Sequence, residues 1–188
     1  WNMPVSITVS VILPTYNPHP AYLQRCFSSL AAQTKDSASW ELIVVDNAST
    51  DNTAETALQQ WKKYNSATPF RVIHQPILGK MHALKRGMKT ARFEFLLICD
   101  DDNWLSNTYV QDAFEIMEDH PEIGALGGWS EAAYEIEKPG WFDSFAHNYA
   151  VGKQGEISGD ITKEKGCLYG AGMIIRKSQW LELKEKGF

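Results

Sequence analysis

Apolar residues along this chain fall into two alternating patterns: short β-branched runs, and longer stretches in which they recur every third or fourth position. Val9 to Leu13 is a compact run closed by Pro14, the mark of a buried strand that ends at a turn. In the stretch from Pro20 to Gln33, Leu23, Phe27 and Leu30 recur at spacings of four and three and predict a helix with one buried face. The same pair of signals repeats. Leu42 to Val45 predicts a strand and Asp51 to Tyr64 a helix, with Asp51 or Asn52 as its N-cap. Phe70 to His74 and Glu94 to Cys99 predict strands, followed by helices over Lys80 to Ala91 and Asn107 to Asp119, and Ile123 to Leu126 predicts a further strand. Strands that alternate with helices need crossover connections, so the expected fold class is α/β, a three-layer α/β/α sandwich with a mainly parallel sheet.

The alternation fails between Gly127 and Gly166, where Trp129, Tyr134, Trp141, Phe142, Phe145 and Tyr149 stand among glycines and charges. A long irregular stretch in a compact domain is usually functional or mobile. Order is expected to return with a strand over Cys167 to Arg176 and a helix over Lys177 to Lys186. The 188 residues suit one domain, 1–188, with 127–166 as its irregular segment.

Composition removes several function classes. The net charge is −5, from 23 acidic and 18 basic residues, with no basic run to meet a polyanion, so a nucleic-acid partner is not expected. Cys26, Cys99 and Cys167 are odd in number and widely spaced, which suggests neither a disulfide framework nor a zinc site and fits a reducing compartment. Runs such as Phe95 to Cys99 fall far short of the roughly 20 residues of a membrane span, and the first residues do not read as a signal peptide. The expectation is a soluble, cytoplasmic piece. It could belong to a larger protein at the cytoplasmic face of a membrane, held there by parts outside this chain.

In open α/β sheets, ligands bind beyond the carboxyl ends of the strands. Those ends carry Pro14-Thr15-Tyr16-Asn17, the run Asp46 to Asp51, and Asp100-Asp101-Asp102-Asn103. The first turn lacks G-x-G-x-x-G, and Gly79-Lys80 lacks the upstream glycine of a P-loop. A bound nucleotide would therefore need its phosphate charge neutralised by another agent, and a divalent cation on carboxylates does this directly. Three adjacent acids repel one another, and a cation reverses the sign of that effect. The alternative is a solvated loop before the next helix, where Ser106 or Asn107 is an adequate cap.

Asp46 reads equally as an Asx-turn residue and as an acceptor for the ring N–H of a pyrimidine, with Thr15 and Tyr16 lining the same pocket. Lys80 opens the third helix, where it adds positive charge near the phosphates or is simply solvated. The five histidines show no metal-ligand spacing, Cys99 reads as a small core residue, and no G-x-S-x-G elbow offers a nucleophile.

Taken together, VSVILPTYN at 9–17, ELIVVDNASTDNT at 41–53, LGKMHALKRGMKTA at 78–91, FLLICDDDNWL at 95–105 and GAGMIIRKSQW at 170–180 resemble the inverting glycosyltransferases of family two with the GT-A fold. The resemblance spans nearly the whole chain. It implies a nucleotide-diphosphate sugar as donor, a UDP-sugar first, a glycan or lipid-linked acceptor, and Mn or Mg as metal. It places Asp46 on the base, Asp100 or Asp101 on the ribose, and Asp102, with Asp100, on the metal. Direct inversion also needs a general base for the acceptor hydroxyl. The resemblance puts that carboxylate after Phe188, so a truncated domain that binds donor is expected. It sets the aromatics of 129–149 on the acceptor side, either stacked on sugar rings or burying a loop against the sheet. Two other readings stay open. One is a nucleotidyltransferase that makes sugar nucleotides, although Pro14 to Asn17 replaces its glycine- and arginine-rich first turn; the other is a non-catalytic nucleotide-binding domain.

Overall fold

The computed structural model describes residues 8–187. Strands β1 (Val9–Thr15), β2 (Trp40–Asp46), β3 (Phe70–His74) and β4 (Phe95–Ile98) alternate with helices α1 (Pro20–Ala31), α2 (Thr53–Lys62), α3 (Lys80–Thr90) and α4 (Tyr109–Asp119). Then come β5 (Ala125–Leu126), the short helix α5 (Phe142–Phe145), β6 (Ile174–Arg176) and α6 (Lys177–Glu185). One six-stranded sheet runs in the order β3-β2-β1-β4-β6-β5. Its first four strands are parallel, whereas β6 is antiparallel to β4 and β5 is antiparallel to β6.

The three layers follow from side-chain alternation along buried strands. Val9, Val11 and Leu13 of β1, with Leu42, Val44, Phe95 and Leu97, face the layer of α1, α2 and α4, where Phe27, Leu30, Trp61 and Met117 complete the core. Ile12, Ile43, Val45, Leu96 and Ile98 face the opposite side and pack on Ala83, Leu84 and Met88 of α3 and Trp180 of α6. Gly87 lets α3 lie close to the sheet, because a Cβ there would run into the side chains of Ile12 and Val45.

The expected boundaries need correction in the second half. The strand expected over Cys167 to Arg176 shrinks to Ile174–Arg176. Gly172 adopts φ +74°, donates its amide to the Ile98 carbonyl at 2.8 Å and accepts the Tyr109 hydroxyl at 2.7 Å, so a turn replaces the first part of that strand. The expected strand Ile123 to Leu126 keeps only its last two residues. The segment 127–166 is mostly irregular, but it holds α5, a 3-10 turn over Ala146–Tyr149 and a bridge between Ser130 and Gly152. The helix starts are also simpler than expected. Asn52 and Thr108 sit at the cap positions of α2 and α4 without side-chain cap bonds, while the Asp51 carboxylate accepts the Thr53 amide at 2.9 Å. Among the described residues, no helix is long and apolar enough to cross a membrane.

Candidate functional site

Because β1, β2 and β4 are adjacent and parallel, their carboxyl ends bring three sequence-distant loops to one edge of the sheet, with the β3–α3 loop beside them. A cleft of about 460 Å³ opens there, lined by Pro14, Thr15, Tyr16, Asn47, Leu78, Gly79, Lys80, Asp100, Asp101 and Asp102. Six of the seven residues singled out from the sequence thus meet in one place. A larger hollow of about 1160 Å³ lies at the far edge of the sheet, between β5 and residues 153–168. None of those seven residues lines it, so their meeting in the smaller cleft, and not the size of the hollow, marks the candidate site.

The three carboxylates have different surroundings. Asp100 is held by Lys80, whose ammonium lies 2.7 and 2.8 Å from its two oxygens. Asp101 turns inward and accepts the Thr15 hydroxyl at 2.5 Å. Burial pushes the Asp101 carboxyl above the ordinary aspartate range, the Thr15 hydrogen bond opposes that rise, and the charges of Asp102 and Asp100 add to it. Asp102 is exposed, and one of its oxygens accepts the Asn103 side-chain amide at 2.8 Å.

Asp46 stands apart. It is buried at the end of β2, in register with Thr15, and does not line the cleft. Its Oδ1 accepts the Ser49 amide at 3.1 Å, so the Asx-turn interaction is present, and its Oδ2 lies 3.4 Å from Nδ1 of His74. Beneath the acidic loop, the buried thiols of Cys26 and Cys99 are 3.7 Å apart, each 3.6 Å from the Asp100 carbonyl. The hydrogen bond between them and their burial hold the Cys26 thiol well above its ordinary pKa, which suits a core residue and not a nucleophile.

Sequence reasoning missed Asn47, Leu78 and Gly79. Asn47 lies in the strand-end run Asp46 to Asp51, where a carboxamide beside an acid gives no signal of its own. Leu78 and Gly79 precede a predicted helix and carry no chemistry of their own. The general base expected beyond Phe188 lies outside the described residues.

The oxygen donors of the loop fit a hard cation such as Mn²⁺ or Mg²⁺. Among the described residues, no set of three or more His, Cys, Asp or Glu side chains converges on one point. Asp100 is engaged by Lys80 and Asp101 by Thr15, which leaves Asp102 as the exposed carboxylate. One or two carboxylates with substrate phosphates and water are the usual shell of a phosphate-bound Mg²⁺, so these residues suit a cation that arrives with a diphosphate.

Known proteins share both sequence and architecture with this chain. Residues 10–179 match the profile of the family described as glycosyl transferase family 2. The poly(ribitol-phosphate) beta-N-acetylglucosaminyltransferase TarP of Staphylococcus aureus is 33% identical over 106 residues, 56% of this chain and 32% of its own. The crystal structure of S. aureus TarS 1–349 in complex with UDP-GlcNAc superposes with a TM-score of 0.67 at 24% identity, covering 94% of this chain and 47% of that one. The mannosyltransferase PcManGT from Pyrobaculum calidifontis, in complex with GDP-Man and Mn²⁺, gives a TM-score of 0.68 at 21% identity, over 97% and 49% of the two chains. The chain thus spans about a third of TarP and about half of the solved relatives. The match over nearly its whole length, together with the shared architecture, shows that the chain belongs to glycosyl transferase family 2 and has its GT-A type fold.

Proposed function

We propose that the cleft binds a nucleoside-diphosphate sugar together with Mn²⁺ or Mg²⁺, and that the protein transfers the sugar, with inversion, to a hydroxyl of a glycan or lipid-linked acceptor. The observation that carries this reading is the gathering of Thr15, Lys80 and three aspartates from distant loops into one cleft. The cation would neutralise charge on the diphosphate leaving group. Asp102 would hold it, with Asp100 joining once Lys80 exchanges its carboxylate partner for the diphosphate. Asp101, fixed by Thr15, is suited to a ribose hydroxyl, to which a carboxylate offers acceptors only. Gly79 supplies no side-chain cap to α3, so the start of that helix can present backbone amides to phosphate oxygens.

Asp46 Oδ1 accepts from Ser49 and Oδ2 lies beside His74 Nδ1, so a base would use the second lone pair of Oδ2 for its ring N–H, and Tyr16 and Leu78 offer apolar surface within the cleft. A UDP-sugar is the first choice of donor. The TarS complex holds UDP-GlcNAc and the PcManGT complex GDP-Man with Mn²⁺, which supports a nucleotide sugar without choosing the base. Calorimetric titration with UDP and GDP, each with and without Mn²⁺, tests the reading. Metal-dependent binding of one of them is expected; heats that vanish for both in the presence of Mn²⁺ would exclude the donor site.

A further inference from the structure

The cleft is a set of loops, and side chains tie each loop to the next. Asn17 joins the first to the second: its Oδ1 accepts the Thr50 amide at 2.9 Å, its Nδ2 donates to the Thr50 hydroxyl at 3.0 Å, and its amide donates to the Ser49 hydroxyl at 3.1 Å. Asn47 joins the second to the third. Its Nδ2 donates to the Ile77 carbonyl at 2.6 Å and the Gln75 carbonyl at 3.3 Å, and its Oδ1 accepts the Gly79 amide at 2.7 Å. Lys80 joins the third to the fourth through Asp100, and Thr15 returns from the first to the fourth through Asp101.

We propose that Asn47 is a positioning residue for the donor cleft, one that fixes the 75–79 loop so that Leu78 and Lys80 face the nucleotide. The proposal rests on the donor reading above. Asn47 is buried, with 3% exposure, and its own amide donates to the Thr15 carbonyl at 2.8 Å, so it is anchored on the sheet before it reaches the loop. Few side chains could replace it. The loop presents two carbonyls and one amide to a single point, and only a carboxamide supplies donors and an acceptor from one planar group at that reach. An aspartate would keep the bond to Gly79 but set its second oxygen against the Ile77 and Gln75 carbonyls. The glycine is required as well, since Gly79 has φ +132°. Lys80, the next residue, begins α3, so an error in the loop is passed directly to the ammonium that meets Asp100.

Five forms of the chain decide the matter: unsubstituted, Asn47→Ala, Asn47→Asp, Lys80→Ala and the double variant of Asn47→Ala with Lys80→Ala. Amide hydrogen exchange is measured without ligand, and UDP binding with Mn²⁺ is measured by calorimetry. Asn47→Ala is expected to speed exchange at Gly79 by about tenfold or more, the consequence of losing hydrogen bonds of ordinary strength, while amides in the middle of β2 keep their protection. It should weaken UDP binding by about tenfold, and Lys80→Ala in the same background should add little, because the two act in series. Asn47→Asp should resemble Asn47→Ala and not the unsubstituted chain. Unchanged exchange at Gly79 would overturn the clamp. Faster exchange with unchanged affinity, or losses that simply add, would overturn its role in positioning. Should the unsubstituted chain bind no nucleoside diphosphate, the donor reading and this role fall together, and the exchange arm still reports on the clamp by itself.

Discussion

The large apolar side chains of two regions of this chain have opposite fates. In β4, Phe95, Leu96, Leu97 and Ile98 are all buried, alternately against α1, α2 and α4 on one face and against α3 and α6 on the other. Between Tyr134 and Tyr149, five aromatic residues stand among Glu135, Glu137, Lys138 and Asp143, and Trp141, Phe145 and Tyr149 remain 52%, 49% and 58% exposed, their rings set against one another and against Phe142. Composition and neighbours both differ: β4 is apolar throughout and, inside a sheet, is covered on both faces, whereas the rings of 134–149 alternate with charges on an irregular segment whose four-residue helix can cover only itself. The cleft proposed for the donor is built on the first kind of support. Each of its acids follows a strand whose position is set by two buried faces, which is the rigidity a preorganised site requires.

The contrast can be broken by substitution. Leu97→Ala, at a fully buried position, should cost about 2–5 kcal/mol in urea denaturation, the range of a core cavity that relaxes only in part. Gly87→Ala should come next. Alanine favours a helix interior over glycine by about 1 kcal/mol. Its Cβ would nevertheless meet Ile12 and Val45 on the sheet, and overpacking of that kind costs about 1–3 kcal/mol. A net loss in thermal denaturation is expected, and a gain would show that α3 can move away from the sheet.

Asp101→Asn should do the reverse and stabilise the unliganded chain at neutral pH, while weakening nucleotide binding. Burial and the two neighbouring acids raise the folded-state pKa of Asp101, so its ionisation opposes folding above that pKa. The gain should therefore be full above the folded pKa and vanish as pH falls to the ordinary aspartate value, where folded and unfolded chains are both protonated. Melting curves from neutral to acid pH follow this directly, and a gain that grows on acidification would contradict the assigned cause. The smallest effect is expected from Trp141→Ala, within about 0.5 kcal/mol, as for other exposed positions. A loss as large as that of Leu97→Ala would mean that the aromatic segment is part of the core after all.

The same division governs what could be read from sequence. The elements from Val9 to Asp119 were legible because each buries a periodic face, and the sheet position of the acids followed from the alternation. The turn at Gly170 to Met173 was not, since its glycine geometry and its bond to Tyr109 depend on a helix some sixty residues away in sequence. In the site, residue types announced Asp100, Asp101 and Asp102, but not their partners. That Lys80 neutralises Asp100, that Thr15 holds Asp101 and that Asn47 closes the third loop are facts of packing between loops, for which a single sequence carries no periodic signal.

The central claim is that the acidic loop completes a cation site only when a diphosphate supplies the remaining oxygens, with Asp102 as the protein's exposed ligand. Electron paramagnetic resonance of Mn²⁺ tests it most directly, because free and bound ion are counted separately as protein is added. Weak binding of Mn²⁺ alone, strong binding in the presence of UDP, and loss of that enhancement in Asp102→Ala are expected. Equal Mn²⁺ affinity with and without UDP, or an enhancement that survives Asp102→Ala, would contradict it.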